Sequence, residues 1–483
     1  MVRHGRRIKR CGTCFERKVK CDQQQPYCQR CQNSGLECSG YHSNLKFVDE
    51  NARFSGQAKG DMKLSRNTTT LSKAPVDAST TKCSLRREQT CQLQMRNLLP
   101  HQDTLFLPYT LSKLSPVTSR ANGVVQAAIL PSLLTGHESN VHQLCVQALV
   151  TTYFGRMMRE SRICDQGLRL YSQALAQLRS EISGANSGTE LGTIMSVLCL
   201  CIYENILLSQ PMAWLMHYEG VARLVQSRGP QGWKGPKERK ILQFARYFAI
   251  LSAGHQRRRC FLDQPQWEST RCIPEGETPE RIDVLYDIFA QVPGIVQDFD
   301  AIRQGTNMAP STPNALRQHV QSVVDRIHDW LHDFGWDCDP GSDLKSGILP
   351  PHIDPTDSAA LALCYAMLLC LSDPCQYLDV ALVPNRPLPI DGPSVIHFLA
   401  SEISQFAGAA LRGEGSTNLA LFLIYPLQIA CFFLQNSESA VCRVQGIMDS
   451  VVADSCGFEM GRRRDWDDTN LDQGIHGFVT DKP

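Results

Sequence analysis

Apolar residues recur at intervals of three or four positions through most of the chain after residue 100, the pattern typical of amphipathic helices. One such segment, from Leu168 to Ile182, predicts a helix that ends at Gly184. Its predicted buried face carries Leu168, Tyr171, Leu175, Leu178 and Ile182. The segment from Thr193 to Leu208 is apolar on nearly every side, which predicts a buried helix.

A further helix is predicted from Trp214 to Val225, ending at Arg228-Gly229-Pro230. Its predicted face carries Trp214, His217, Val221 and Leu224, with Gly220 allowing close contact to a neighbouring helix. We interpret His217 as a core histidine bonded to a neighbour rather than a ligand. Strand signals are weak, so the pattern predicts a large all-α domain. The other predicted helices are Ile241–Leu251, Ile282–Phe289, Leu316–Leu331, Ala359–Leu371, Val395–Leu411 and Leu419–Leu434.

The first hundred residues lack this period. From Ala52 to Gln92 the chain is rich in Ser, Thr, Lys and Gln and poor in apolar residues, which predicts a flexible linker. No sustained apolar heptad follows, so no coiled coil is predicted. The predicted domains are a small N-terminal module, a linker, an all-helical regulatory domain and an acidic tail. Their boundaries are 1–50, 51–95, 96–465 and 466–483.

Composition fits a globular protein, because 42% of the 483 residues are apolar and 20% are charged. The formal net charge of +1 hides an uneven distribution, since residues 1–48 hold ten Lys and Arg against three Asp and Glu. A basic head favours an anionic partner, with nucleic acid as the first candidate. No segment predicts a membrane span or a secretory signal, which favours an intracellular, reducing compartment.

Six of the 21 cysteines fall within residues 11–38 in the spacing C-x2-C-x6-C-x6-C-x2-C-x6-C. In a reducing compartment this repeated unit indicates zinc rather than disulfides. One tetrahedral zinc would leave two thiolates over, whereas two zinc ions use all six if two thiolates bridge. We therefore predict a closed, structural site with two Zn2+ ions. The predicted ligands are Cys11, Cys14, Cys21, Cys28, Cys31 and Cys38.

Each C-x2-C unit is expected to open a short helix, the first from Thr13 to Val19 and the second from Gln29 to Ser34, ended by Gly35. Lys or Arg on the first helix can meet the O6 and N7 acceptors of guanine in a major groove. Cations around it, including Arg7 and Lys9 of the basic arm, are expected to contact phosphates.

Residues 11–38 resemble the fungal zinc binuclear cluster DNA-binding domain, in the six cysteines, the run R-K-V-K-C-D at 17–22, Pro26 and Gly35. The resemblance implies that Cys11 and Cys28 bridge the two zinc ions. It implies that Lys18, with Arg17, contacts the bases of a CGG triplet, and that Arg10 and Lys20 lie near phosphates. The chain departs from the family pattern after the second cysteine, where Phe15 and Glu16 replace the usual basic residue.

Two softer motifs, at Trp214–Pro230 and Asp454–Arg462, resemble the all-helical fungal-specific transcription factor domain of the second type. Catalytic signatures such as G-x-S-x-G, a P-loop, G-x-G-x-x-G and H-E-x-x-H are absent from the sequence. We therefore predict a nuclear, non-enzymatic regulator of RNA polymerase II genes, an activator that recognises CGG half-sites in double-stranded DNA.

Its predicted target is a biosynthetic gene cluster for a secondary metabolite, with nutrient catabolism genes as the alternative. Further candidate partners are a second copy of the chain, in a homodimer, and a small-molecule inducer or coactivator. A membrane is not a predicted partner. Two rivals stay open at this point. One is an enzyme with an attached zinc module, and the other is a zinc-stabilised adaptor that binds RNA or protein.

Overall fold

A computed structural model describes most of the helical region and the centre of the cysteine-rich module. The backbone divides into two compact units, 1–81 and 82–483, and each is described by itself. The predicted linker and acidic tail lie outside the described residues. The described residues are 13–14, 17, 19–22, 28–36, 38, 105–115, 126–136, 138–183, 190–267, 281–305, 312–333, 353–383, 395–412 and 417–462.

The second unit is all-α over these residues, which contain no strand, and this confirms the predicted fold class. Short turns of 3₁₀ helix lie at Pro230–Trp233, Phe261–Asp263 and Glu459–Gly461, and a π-helical segment spans Ile447–Ser455. The module contributes α1 (Gln29–Asn33), and the larger unit begins with α2 (105–114). The helices that follow are α3 (Gln126–Thr135), α4 (Asn140–Met157), α5 (Ser161–Ile182), α6 (Leu191–Leu207), α7 (Ala213–Arg228), α8 (Pro236–His255), α9 (Arg281–Phe289), α10 (Val292–Arg303), α11 (Pro313–Asp333), α12 (Pro355–Cys370), α13 (Ser372–Tyr377), α14 (Val395–Ala410), α15 (Thr417–Phe433) and α16 (Glu438–Gly446).

One continuous apolar core runs through the helical unit. Helix α4 packs between α5 and α6, α6 against α7, and α7 against α8, while α12, α14 and α15 pack against one another. The helices α6, α12 and α15 are buried on nearly every face, as their largely apolar sequences require. No described helix is both long enough and apolar enough to span a bilayer.

The predicted buried face of α5 is partly wrong. Leu168 and Ile182 are 44% and 42% exposed, and the buried stripe consists of Gly167, Tyr171, Ala174 and Leu178. Small residues determine the contact, because a Cβ on Gly167 would lie 2.0 Å from Oγ1 of Thr152 on α4. The helix is therefore rotated so that Gly167 and Ala174, rather than Leu168 and Ile182, accompany Tyr171 and Leu178 on the buried stripe.

Substitution of Gly167 by alanine is expected to lower the free energy of unfolding by about 1–3 kcal/mol, because the added methyl group overpacks the α4–α5 contact. The backbone nitrogen of Thr152 would also lie 3.0 Å from the added Cβ, so a rotamer change alone cannot relieve the clash. The matched control is Gly408→Ala on α14, where a Cβ meets nothing within 4 Å. Urea unfolding should show the control as stable as wild type or up to about 1 kcal/mol more stable. Equal effects of both substitutions would contradict this packing.

The neighbourhood of His217 on α7 confirms its interpretation as a core histidine. Its Nε2 lies 2.9 Å from the hydroxyl of Tyr171. Burial lowers the pKa of His217, against the opposite effect of the Glu204 carboxylate. The role predicted for Gly220 is wrong, because a Cβ there would lie 3.7 Å from Val197, an ordinary van der Waals distance.

The segment Asp454–Arg462 fastens the C-terminal end of the described chain to α4. The hydroxyl of Tyr153 donates to the carbonyl of Cys456 over 3.2 Å, and Nε of Arg156 donates to the carbonyl of Gly457 over 3.0 Å. Arg156 also forms an ion pair with Glu459. Gly457 has φ +85°, and a Cβ there would lie 2.8 Å from Sδ of Met157, so the turn needs glycine.

Candidate metal centre and DNA interface

The local structure of the cysteine-rich module follows its repeated unit. Thr13 and Cys14 are helical, and α1 begins directly after Cys28. Gly35, with φ +65°, follows the end of α1, and the Leu36 amide donates to the carbonyl of Cys31 over 3.0 Å. The second predicted helix is therefore confirmed. Of the first predicted helix, Thr13 and Cys14 are helical, Arg17 lies in a turn and Val19 lies outside any helix, whereas residues 15, 16 and 18 lie outside the described residues.

The described cysteines converge on Cys28, which is fully buried. Its Sγ lies 3.7 Å from Sγ of Cys14, which lies equally far from Sγ of Cys31. The sulfurs of Cys14, Cys28 and Cys31 all lie within 4.8 Å of one another, and so do the ligand atoms of Cys21, Asp22 and Cys28. The backbone amide of Cys28 donates to Sγ of Cys38 over 3.3 Å. Cys28 is thus common to two groups of potential ligands, and Cys11 lies outside the described residues.

These residues fit the two zinc ions of the predicted module. The 3.7 Å sulfur separations are far longer than the roughly 2.05 Å of a disulfide. The thiols are buried, and among described residues Val19 is the sole aliphatic side chain packed against them. So small an apolar cluster cannot stabilise a fold by itself, so bound metal must supply most of the folding free energy.

Asp22 joins the two halves of the module, a role that the sequence analysis missed. Its Oδ2 accepts the backbone N–H of Arg30 over 2.6 Å and lies 3.5 Å from Sγ of Cys28. In return, Nη1 of Arg30 donates to the carbonyl of Lys20 over 3.2 Å. The pair therefore holds the Lys20–Asp22 segment, which carries Cys21, against the start of α1.

Replacement of Asp22 by leucine is expected to lower zinc affinity about 10- to 100-fold, the usual effect of removing a group that orients metal ligands. Asp22→Asn keeps an oxygen acceptor and should lose less. The measurement is competition for zinc against a chromophoric chelator. Asn33→Ala, at an exposed position of α1, serves as the control. Wild-type zinc affinity in Asp22→Leu would show that the clamp does not support the metal centre.

The two described basic residues of the first half point outwards. Arg17 and Lys20 are exposed, whereas Val19 between them is half-buried against the cysteines. The Arg17 amide donates to the carbonyl of Thr13 over 3.2 Å, which places Arg17 one helical turn after Thr13. The other predicted DNA contacts, Lys18, Arg10, Lys9 and Arg7, lie outside the described residues.

The buried cysteines of the helical unit form a second, inert class, as expected for small hydrophobic residues. Cys199, Cys201 and Cys364 are fully buried. Burial raises the pKa of Cys370 and Cys375 to about 12, so neither thiol ionises at neutral pH.

Two of the three consecutive arginines that follow α8 form ion pairs within the helical unit. Arg257 binds Asp300 through two bonds of 2.5 and 2.6 Å, and Arg259 binds Asp263 and Asp298.

One known family matches the cysteine-rich module, and another matches part of the helical unit. The Fungal Zn(2)-Cys(6) binuclear cluster domain matches residues 9–46, and the Fungal specific transcription factor domain matches residues 106–335. Together the matches cover just over half of the chain. The chain thus combines an N-terminal match to the binuclear cluster domain with a downstream match to the fungal specific transcription factor domain. The cluster match brings two zinc ions to the module, and it favours a role in DNA binding.

Relatives among curated proteins match parts of the chain only. An uncharacterised protein of Emericella nidulans is 29% identical over 124 residues, 26% of this chain and 27% of its own length. Arginine metabolism regulation protein II of Saccharomyces cerevisiae is 54% identical over 37 residues, 8% of this chain and 4% of its own length. The aspercryptin biosynthesis cluster-specific transcription regulator of Emericella nidulans is 51% identical over 37 residues, 8% of this chain and 6% of its own length. The matched segments thus span about a quarter of these relatives or less, and no solved structure matches.

Proposed function

We propose that the protein is a sequence-specific, zinc-dependent transcription regulator that acts as an activator of RNA polymerase II genes in the nucleus. Residues 1–50 would bind CGG half-sites in double-stranded DNA, and residues 96–465 would regulate that binding. The observation that carries the proposal is the position of Cys28 in both groups of potential ligands. A binuclear site with six thiolates needs two shared ligands, and Cys28 is placed to be one of them.

The exposed positions of the basic residues Arg17 and Lys20 support the proposed binding to DNA. The zinc ions supply the folding free energy of the module when bound. The buried cysteines and Val19 hold one side of the Arg17–Lys20 segment, so Arg17 and Lys20 stay exposed. Lys18 and Arg17 would donate to the O6 and N7 acceptors of guanine. Lys20, Arg10, Lys9 and Arg7 would contact phosphates, which sets affinity rather than sequence preference.

All six cysteines, including Cys11, are proposed as ligands, with Cys11 and Cys28 as the bridges. The convergence of Cys14, Cys21, Cys28 and Cys31 supports this assignment. The hydrogen bond from the Cys28 amide to Sγ of Cys38 supports the inclusion of Cys38.

The target genes are proposed to form a biosynthetic cluster for a secondary metabolite. The name of one relative, the aspercryptin regulator, supports this choice. The name of another, which refers to arginine metabolism, supports the alternative of nutrient catabolism genes. A homodimer would recognise paired half-sites, and a small-molecule inducer or a coactivator would act on the helical domain.

Genome-wide chromatin occupancy of the tagged full-length protein in its own host tests the proposal. Peaks centred on CGG triplets are expected, and the neighbouring genes would identify the pathway. Nuclear protein without CGG-centred peaks under several growth conditions would contradict it. Uniform binding to RNA or to all nucleic acids would favour the zinc-stabilised adaptor instead.

A further inference from the structure

A small cavity lies within the helical unit, between α6, α7, α8, α15 and the Glu459–Gly461 turn. It opens to solvent, and the empty space is about 420 Å3 when its open mouth is included. Its walls are mainly aromatic and aliphatic. The ring of Trp214 lies edge-on to Tyr218 and to His255, with centroids 5.1 and 5.0 Å away. The aromatic lining residues are Trp214, Tyr218, Tyr247, His255 and Tyr425.

The tyrosine hydroxyls of this cavity are already engaged by the protein. Tyr218 and the Asn205 amide exchange hydrogen bonds of 2.9 and 3.2 Å. The hydroxyl of Tyr247 donates to the carbonyl of Phe422 over 3.3 Å, and that of Tyr425 lies 3.0 Å from Sγ of Cys370. The tyrosines therefore offer ring surface, rather than hydroxyl groups, to an occupant.

Gln428 is the exception among the polar lining residues. It lies half-buried on α15, and its side-chain amide makes no hydrogen bond within the described part of the chain. The lining contains no Asp, Glu, Lys or Arg, so a charged ligand would lose its hydration without gaining an ionic partner. An apolar pocket with one convergent amide suits an uncharged ligand that has one hydrogen-bonding edge.

We propose that this cavity binds a small, uncharged, planar aromatic molecule that packs against the rings of Trp214, Tyr218 and Tyr247 and pairs its polar edge with the Gln428 amide. The role of this cavity as an inducer site rests on the proposed function. Met460 also lines the cavity, and it lies in the C-terminal turn that Arg156 and Glu459 fasten to α4. An occupant would therefore strengthen the closure of this turn against α4.

The test is calorimetric titration of the zinc-loaded full-length protein with 2-naphthol and with 2-naphthalenesulfonate, which keeps the ring system and adds a charge. Naphthol is expected to bind at least about tenfold more tightly, because burying the sulfonate is costly without a partner. Gln428→Leu should weaken naphthol binding several-fold, and Leu251→Trp should abolish it by filling the cavity. Gln405→Leu, at a half-buried position of α14, is the control and should bind as wild type does.

Hydrogen exchange provides a second measurement, in which naphthol should slow exchange of the amides at 454–462. Equal binding of the two probes, no saturable naphthol binding, or wild-type binding by both cavity variants would overturn the proposal. Titration with a CGG duplex on the same preparation separates the two claims. Naphthol binding without CGG binding would support the pocket and contradict the proposed function. CGG binding without naphthol binding would support the proposed function and contradict the pocket.

Discussion

Replacement of Cys28 by serine is expected to remove specific DNA binding, with affinity falling about 1,000-fold or more to the non-specific level. Cys28 is fully buried and belongs to both groups of potential ligands, so its loss affects both halves of the module at once. A serine hydroxyl stays protonated at neutral pH and cannot replace a thiolate on zinc. Because metal binding supplies the folding free energy here, the substitution should also unfold the module.

Zinc content and DNA affinity are the quantities to measure on the purified full-length variant. Cys442→Ser is the matched control, since Cys442 is an exposed cysteine of the helical unit. The control should retain two zinc ions per chain and wild-type affinity. A Cys28→Ser protein that also retained two zinc ions would show that Cys28 does not bridge.

Lys18→Ala should abolish the preference for CGG over an altered triplet while leaving the zinc content unchanged. A good contact to guanine is worth about 1–3 kcal/mol of discrimination, or roughly 5- to 150-fold in affinity. The measurement is a pair of fluorescence anisotropy titrations at one salt concentration, with duplexes that differ in the triplet alone. A retained preference would place base recognition on other residues.

Lys20→Ala provides the contrast, because Lys20 is exposed and is proposed to contact a phosphate. Binding to the two duplexes should weaken equally, and the slope of log affinity against log salt should become less steep by about 0.9. If about five phosphates are neutralised, the wild-type slope should be roughly −4 to −5. Loss of CGG preference in this variant would contradict the division between base and phosphate contacts.

The helices that the sequence predicted most accurately are those that face one continuous core. The period from Ile282 to Phe289 predicts α9 to within one residue, and the apolar run from Leu419 to Leu434 predicts α15 to within two. Helix α4 was missed because it is buried between α5 and α6 on opposite sides. Its buried positions include His142, Thr151 and Thr152, so no apolar stripe marks its face.

Packing between particular pairs of helices could not be predicted from the period alone. The face of α5 was misplaced because the Gly167–Thr152 contact depends on how closely two backbones approach. In the module, cysteine spacing predicted the metal centre, but it gave no signal for the contacts of Asp22 and Arg30. Those contacts join residues eight positions apart in sequence across the two halves of the fold.

Titration of the zinc-loaded, full-length wild-type chain with a CGG duplex and an altered duplex, before and after zinc removal, examines metal-dependent CGG recognition in one experiment. At fixed salt we expect at least about tenfold tighter binding to the CGG duplex. Zinc removal should erase that preference, and restored zinc should recover it. Equal affinity for both duplexes, or CGG preference that survives zinc removal, would contradict zinc-dependent recognition of CGG by this protein.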